Sequence, residues 1–403
     1  MHEVTSPEHT QRGQAKAGAS ICGGKFGSNG QAFMASGQNP DHDLAKAVNP
    51  FGFRFLNQLR ARNADANIVF SPLGIPAAFA LVYFGARGET GKELEAAFGF
   101  RGGIIPGQLT GKCKDFGEGS KEQACLATRA FVNSGIKVPN AYIQNNFVEV
   151  PFNVNRVGAR KLINEWFAIT TRGEIREMLN RDCVKDDTKM ILANAVCFKG
   201  TWDRSFPIKS IFKGEFRGVG GKTRTAFMEI KSNNDLAIKD IPRLDSQMVE
   251  LPYSDGRFSM FILLPKTEGG WRKAEKNLHR VGSGLFRGRF ERQAALIAQI
   301  PKFEATLNMS VKKVLASMGL TNVFLENADL SGLTDPKNEL IVSEAMHRAV
   351  VEFNDQGSDP LFGADFSIAT STPTLFIVDR PFLFFVVDKA DDSIICQGTV
   401  TRL

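Results

Sequence analysis

The chain has 403 residues, 43% of them hydrophobic, and 50 basic against 43 acidic side chains give it a formal net charge of +7. That is enough apolar material for a large core, and length alone allows two or three domains. No run of 18 apolar residues occurs, so no membrane-spanning helix is expected; the six cysteines (Cys22, Cys113, Cys125, Cys183, Cys197, Cys396) show no CxxC or other zinc-ligand spacing, so neither metal nor cofactor is expected.

Residues 1–43 are rich in Gly, Ser, Gln and Asn and lack an apolar stretch before a small-residue cleavage site. They read as a disordered tail and not as a secretory signal. Leu44, Val48, Phe51, Phe55 and Leu59 then recur at helical spacing and predict an amphipathic opening helix over residues 44–62, despite Pro50. Ser71-Pro72 predicts an N-cap with the favoured proline behind it, and the Ala/Leu/Phe-rich residues that follow predict a helix buried on most faces. Residues 159–179 read as a further helix with Leu162, Ile163, Trp166 and Phe167 on its apolar side. Cys197 and Cys396 sit in apolar runs and read as buried thiols. Cys113 and Cys125 are close enough in sequence to pair in a secreted protein, which the sequence alone does not decide.

Enzymatic motifs are missing. Of five histidines (His2, His9, His42, His279, His347) three lie in the tail, and no GxSxG elbow accompanies His279 or His347. Gly220-Gly221-Lys222-Thr223 has the end of a phosphate loop, but Phe216 stands where its first glycine belongs, so a turn between strands is the better reading. Asn308-Met309-Ser310 is a glycosylation acceptor sequence. Asn194 in LANAV and His347 in SEAMHRAV are polar residues inside apolar strands, where each must find a partner.

Near the C-terminus, Val350, Val351 and Phe353 begin as a strand that Asn354-Asp355-Gln356-Gly357 interrupts. About twenty residues without helical period, Lys or Arg follow, before Asp379-Arg380-Pro381 leads into the continuous apolar run 382–387 of a buried strand. A structureless segment of that length inside a compact domain is usually functional.

This layout resembles the reactive loop of the serpins, the serine-protease-inhibitor family. Further similar segments are NIVFSPLGIPAAFALVYFGARGET (67–90), LANAVCFKGTW (192–202), VELPYSDGRFSMFILLP (249–265), IPKFEATL (300–307), SEAMHRAVVEFNDQG (343–357) and DRPFLFFVVD (379–388), in the family's order. The resemblance covers roughly residues 44–403. It implies one mixed α/β domain with a large central β-sheet, two further sheets, eight to nine helices and a reactive loop at about 355–379. It also implies a monomeric suicide inhibitor, not an enzyme, acting outside the cell, with the cytoplasm as the alternative.

By the same resemblance, Ser71, Gly74, Asn194 and His347 meet at the shutter, where the central sheet opens. Gly74 and Pro76 replace residues that usually carry hydroxyls, so a reduced network is expected. Trp202, Lys302 and Asp355 fall at the breach above it. The hinge comprises Asp355, Gln356, Gly357, Ser358, Asp359, Pro360 and Phe362, and the reactive bond is Ser371-Thr372. With no Lys or Arg between Gly357 and Asp379, elastase-like serine proteases are expected as partners, or chymotrypsin-like ones acting near Phe366 or Phe376, in preference to trypsin-like ones. A sulfated polysaccharide is a further candidate partner, while nucleic acid and membrane are not expected. Residues 98–123, Gly-rich with Pro106, leave a helix usual in the family shortened or absent. Period-two alternation from Ser358 gives one apolar and one largely polar face, as an inserted strand requires. Pro360 and Phe362 oppose insertion, so the alternative is a non-inhibitory carrier, storage or signalling protein whose loop is cleaved without trapping.

Overall fold

The opening helix is present as α1 (Asp41–Arg62), with Leu44, Val48, Phe51, Phe55 and Leu59 each no more than 3% exposed. The structure, a computed structural model, describes residues 41–100, 104–118, 124–138, 146–202, 208–232, 236–292, 295–335, 339–355 and 373–403. The expected tail before Asp41 and most of the expected loop, residues 356–372, lie outside the described residues. Asn49 of α1 donates to the Asp392 carbonyl and accepts from the Ile394 N–H, both at 2.9 Å, which fixes the helix against the C-terminal strands.

The helix after Ser71 begins slightly later than predicted, as α2 (Gly74–Tyr83), and is buried from Gly74 to Val82. Ser71 nevertheless caps it, its hydroxyl accepting from the Gly74 N–H at 2.8 Å. After α3 (Gly88–Phe98) comes a correction. The stretch expected to hold a shortened or absent helix forms α4 (Ile104–Glu118), 15 residues long. Its glycines hid it: a side chain at Gly107 or Gly111 would meet nothing within 4 Å, whereas Ile105, Leu109, Lys112 and Phe116 form a buried stripe at helical spacing. The helix expected over 159–179 is α5 (Arg156–Thr170) and stops early, the chain turning at Arg172 and Gly173, which have φ of 53° and 86°. Ile163 and Phe167 are buried, but Leu162 is 44% exposed. With α6 (Gly270–Asn277) and α7 (Lys312–Ser317), seven α-helices occur among the described residues, against the eight to nine expected.

Among the described residues, three sheets complete the mixed α/β fold. The largest has seven strands in the order β1 (Ile68–Phe70), β16 (Ser393–Val400), β15 (Phe382–Asp388), β9 (Phe258–Pro265), β8 (Ser246–Pro252), β7 (Ala237–Ile241) and β10 (Glu291–Arg292). A four-stranded sheet runs β14 (Thr374–Ile377), β11 (Leu296–Pro301), β6 (Gly221–Ser232) and β5 (Ile208–Gly218). Gly220, at φ 98°, lies in the tight turn between β5 and β6, as its sequence suggested. The third sheet has five strands, β12 (Phe303–Ser310), β13 (Glu344–Phe353), β4 (Met190–Lys199), β2 (Ala124–Asn133) and β3 (Phe147–Val150). One of its faces joins the main core and the other packs on α5.

The cysteines also correct the sequence reading. Cys197 is not a free thiol: it is opposite Cys125 in the antiparallel β2·β4 ladder, and the two form a disulfide. Cys113 is free, and its thiol pKa is pushed up to about 12 by burial. Cross-strand register, which decides the pairing, cannot be counted from sequence spacing. Cys396 is a buried thiol as expected.

Candidate functional site at the seam of the five-stranded sheet

The five-stranded sheet is antiparallel at β12·β13 and β2·β4, but its central pair, β13 and β4, is parallel, in register from Glu344 opposite Ile191 to Glu352 opposite Lys199. Both strands are almost wholly buried, as their apolar runs dictate. At the middle of this seam Asn194 and His347 are directly opposite each other. The Ser71 N–H donates to His347 Nε2 at 3.0 Å, which leaves the proton on Nδ1 to be donated to Asn194 Oδ1 at 2.9 Å. Asn194 Nδ2 in turn donates to Thr128 Oγ1 on β2 at 2.6 Å, and the Ser71 hydroxyl donates to the Ile395 carbonyl.

Gly74 supplies no hydroxyl to this network. A Cβ on Gly74 would lie 2.3 Å from Asn194 Oδ1, so the missing side chain is what admits the asparagine, while Thr128 supplies the hydroxyl. His347 is only 1% exposed, and burial lowers its pKa from 6.5 to about 3, so the ring is neutral at physiological pH.

Above the seam β13 ends in an aromatic cluster. Trp202 stacks on Tyr253 with ring centroids 4.5 Å apart, meets Phe353 edge-on, and donates from its indole to the Asn354 carbonyl at 2.7 Å. Gly200 makes room for this stack, since a Cβ there would lie 2.0 Å from the Tyr253 ring. Lys302 Nζ meets Asp355 Oδ1 at 2.7 Å, and that hydrogen bond holds the Asp355 carboxyl below the usual carboxylate range. Lys199, which the sequence reading missed, reaches across the seam to Glu352 at 3.1 Å and to Glu174 at 2.9 Å. The hydrogen bond to Glu174 does most to raise the pKa of the Lys199 ammonium group. A lysine at the end of a buried strand was the available signal, but its partners come from segments distant in sequence.

Beyond the described residues 339–355, Gln356, Gly357, Ser358, Asp359, Pro360 and Phe362, and the Ser371-Thr372 bond, lie outside what is described. The chain re-enters as β14, parallel to β11 in the four-stranded sheet. Asp379 fixes this end through Arg217 at 2.6 Å. Phe376 is 1% exposed here, a packed strand residue and not the accessible bait that the sequence reading allowed. Asn308 is exposed on edge strand β12, its amide donating to the Glu177 and Met178 carbonyls at 3.3 and 3.4 Å.

Comparisons with known proteins agree with this architecture. The family model described as Serpin (serine protease inhibitor) matches residues 46–403. Iripin-2 of Ixodes ricinus is 30% identical over 383 residues, covering 89% of this chain and 94% of its own. Serpin B10 of Bos taurus is 27% identical, covering 88% and 98%. Among solved structures, uncleaved ovalbumin superposes with a TM-score of 0.81 at 24% identity, covering 89% of this chain and 100% of its own; native protease nexin-1 with heparin gives 0.80, also at 24%, covering 91% and 100%.

Proposed function

The chain belongs to the serpin family, and on that footing we propose that it inhibits serine proteases as a suicide substrate. A protease serine Oγ attacks the Ser371 carbonyl carbon, the bond to the Thr372 nitrogen breaks, and that nitrogen leaves with a proton while an acyl ester joins Ser371 to the enzyme. The freed segment from Gly357 folds back between β13 and β4 and carries the enzyme with it before water reaches the ester.

The observation that carries this reading is the parallel β4·β13 seam, with the loop leaving the end of β13. A chain reversing after Asp355 runs antiparallel to both seam strands. It would therefore replace one parallel pairing by two antiparallel ones, which are slightly more stable per residue. Trp202, Lys302 and Asp355 are proposed to hold the entry closed, and Ser71, Gly74, Asn194 and His347 to fasten the seam below it. The Lys302–Asp355 pair is partly exposed, its side chains 27% and 38% accessible, so it contributes about 1 kcal/mol at most. The Cys125–Cys197 disulfide favours action in an oxidising compartment outside the cell. There Asn308 would be open to glycosylation; one relative, Intracellular coagulation inhibitor 2 of Tachypleus tridentatus, is by its name intracellular, which supports the alternative location.

Incubation with a panel of serine proteases, followed by denaturing electrophoresis, tests the proposal. An ester-linked complex is expected with elastase-like enzymes, or with chymotrypsin-like ones acting near Phe366. Tight capture of a trypsin-like enzyme would contradict the specificity. Nicking by every enzyme without any complex would contradict inhibition itself.

Pro360 and Phe362 favour the second reading, a non-inhibitory protein, because proline cannot donate to a central ladder and a bulky ring overfills it. The double variant Pro360→Ala/Phe362→Ala separates the two. Acylation should be unchanged, while the partition moves from cleaved product to complex by about tenfold for each ~1.4 kcal/mol removed from the insertion barrier. If wild type already traps one enzyme per inhibitor, the hinge argument fails.

A further inference from the structure

α5 and the segment after it divide the outer face of the seam between them. α5 contacts β2, and Ile163 and Phe167 share a cluster with Ala127 and Phe131 of β2 and Ile191 and Ala195 of β4 that extends to Met346 and Val350 of β13. Residues 177–183 are fastened instead to β12 and β13. Asn308 and Arg348 both donate to the Glu177 carbonyl, and Cys183 Sγ is 3.8 Å from Met346 Sδ. Asn164 of α5 joins the two parts by accepting from the Met178 and Leu179 N–H groups at 3.0 and 2.8 Å.

Between the first turns of α5 and residues 181–184 is a recess of about 460 Å³, lined by Arg156, Val157, Arg160, Lys161, Arg181 and Val184. Its size falls in the range of small-molecule sites. Three of its four cations stand in the first two turns of a 15-residue helix that has no acidic residue in its first turn. Positive charge at a helix N-terminus opposes the macrodipole. Asp186 meets Arg156 at 3.0 Å and Glu177 meets Arg160 at 3.7 Å, but these carboxylates are 73% and 63% exposed, so each pair offsets about 1 kcal/mol at most. Four cations, two of them ion-paired at exposed carboxylates, thus line a concave surface where guanidinium forks suit the oxygens of phosphate or sulfate, although Asn155 Oδ1 already caps the helix at the Gly158 N–H.

We propose that this recess binds a compact polyanion carrying two or more phosphate or sulfate groups, and that the bound anion braces the sheet shut. A strand entering the seam widens the sheet by roughly 4.8 Å. That movement would draw α5, against β2, away from residues 181–184, over β13. An anion held by Arg156, Arg160 and Lys161 on one side and Arg181 on the other resists it. The brace rests on the loop-insertion reading; the binding does not.

Calorimetric titration of the full chain with inorganic tripolyphosphate and with sucrose octasulfate tests the site and distinguishes phosphate from sulfate. Binding should weaken at least tenfold in Arg156→Ser/Lys161→Ser/Arg181→Ser, with the ligand-free melting temperature unchanged. Should the triple variant not fold, Lys161→Glu alone serves the same comparison. Equal affinity in a folded variant would overturn the site and move the ligand elsewhere, for instance to the surface bearing Arg272, Lys273 and Lys276. The brace is read as the delay between loop nicking and the gain of thermal stability. Saturating ligand should lengthen that delay about tenfold in wild type and not in the variant. Binding without any change in the delay would refute the brace. Nicked protein that never gains stability, even without ligand, would remove loop insertion and the brace together, leaving the binding result standing.

Discussion

His347, opposite Asn194 at the middle of the seam, links the stability of the fold to pH. Its ring is neutral in the folded state because burial lowers its pKa to about 3 from 6.5. Above pH 6.5 neither state holds the proton. As pH falls from 6.5 toward 3, the unfolded chain binds a proton that the folded one refuses, so stability present at neutral pH is lost in that window, by up to about 1.4 kcal/mol per pH unit. Denaturant midpoints measured between pH 7.5 and 4.5 should therefore fall more steeply for wild type than for His347→Gln; parallel curves would exclude the histidine as the source. That Asn194 and His347 needed partners was legible, because polar groups in apolar strands are costly unless bonded. That Gly74 is the gap receiving Asn194, and Thr128 its second partner, was not, since both depend on how α2 and β2 approach β4.

Among the elements, α4 departed furthest from the sequence reading, and it is held by an unusual anchor. Lys112 is 9% exposed and meets Asp388 at 3.1 Å, the Ser393 hydroxyl at 2.7 Å, and Asp391. Burial acts to raise the Asp388 pKa, but the Lys112 charge and the Arg257 hydrogen bond outweigh it and hold the carboxyl below its ordinary value. Lys112→Met should fill similar space yet leave buried carboxylates short of a cation, costing about 3–5 kcal/mol in chemical denaturation. A loss below about 1 kcal/mol, as for an exposed pair, would show that the anchor is not needed. No sign of this anchor is legible in the sequence, because the partners of Lys112 come from the end of β15, the start of β16 and the turn between them. The strands were easier to read: the continuous apolar run 382–387 could only be buried, and β15 is buried along its whole length.

At the scale of the whole molecule, the order of the similar segments was enough to specify the family architecture, whereas sheet register and helix ends were not, because they depend on contacts between distant segments. The upstream end of the loop is rooted in β13 of the five-stranded sheet and the downstream end in β14 of the four-stranded sheet. Cleavage near Ser371 should free the upstream arm to add a strand and so raise the melting temperature, by roughly 1–2 °C for each kcal/mol gained in a domain of this size. An unchanged melting curve after clean nicking would favour the non-inhibitory reading. Because the two ends belong to different sheets, the cut also has a consequence for supply. Once the upstream arm is stitched into one sheet and the other end stays pinned to its neighbour, resealing the peptide bond would first require unthreading the sheet. On the proposed inhibitory reading each molecule would then work once, like a fuse, its protective capacity set by the number of copies made and not by how tightly any one of them binds.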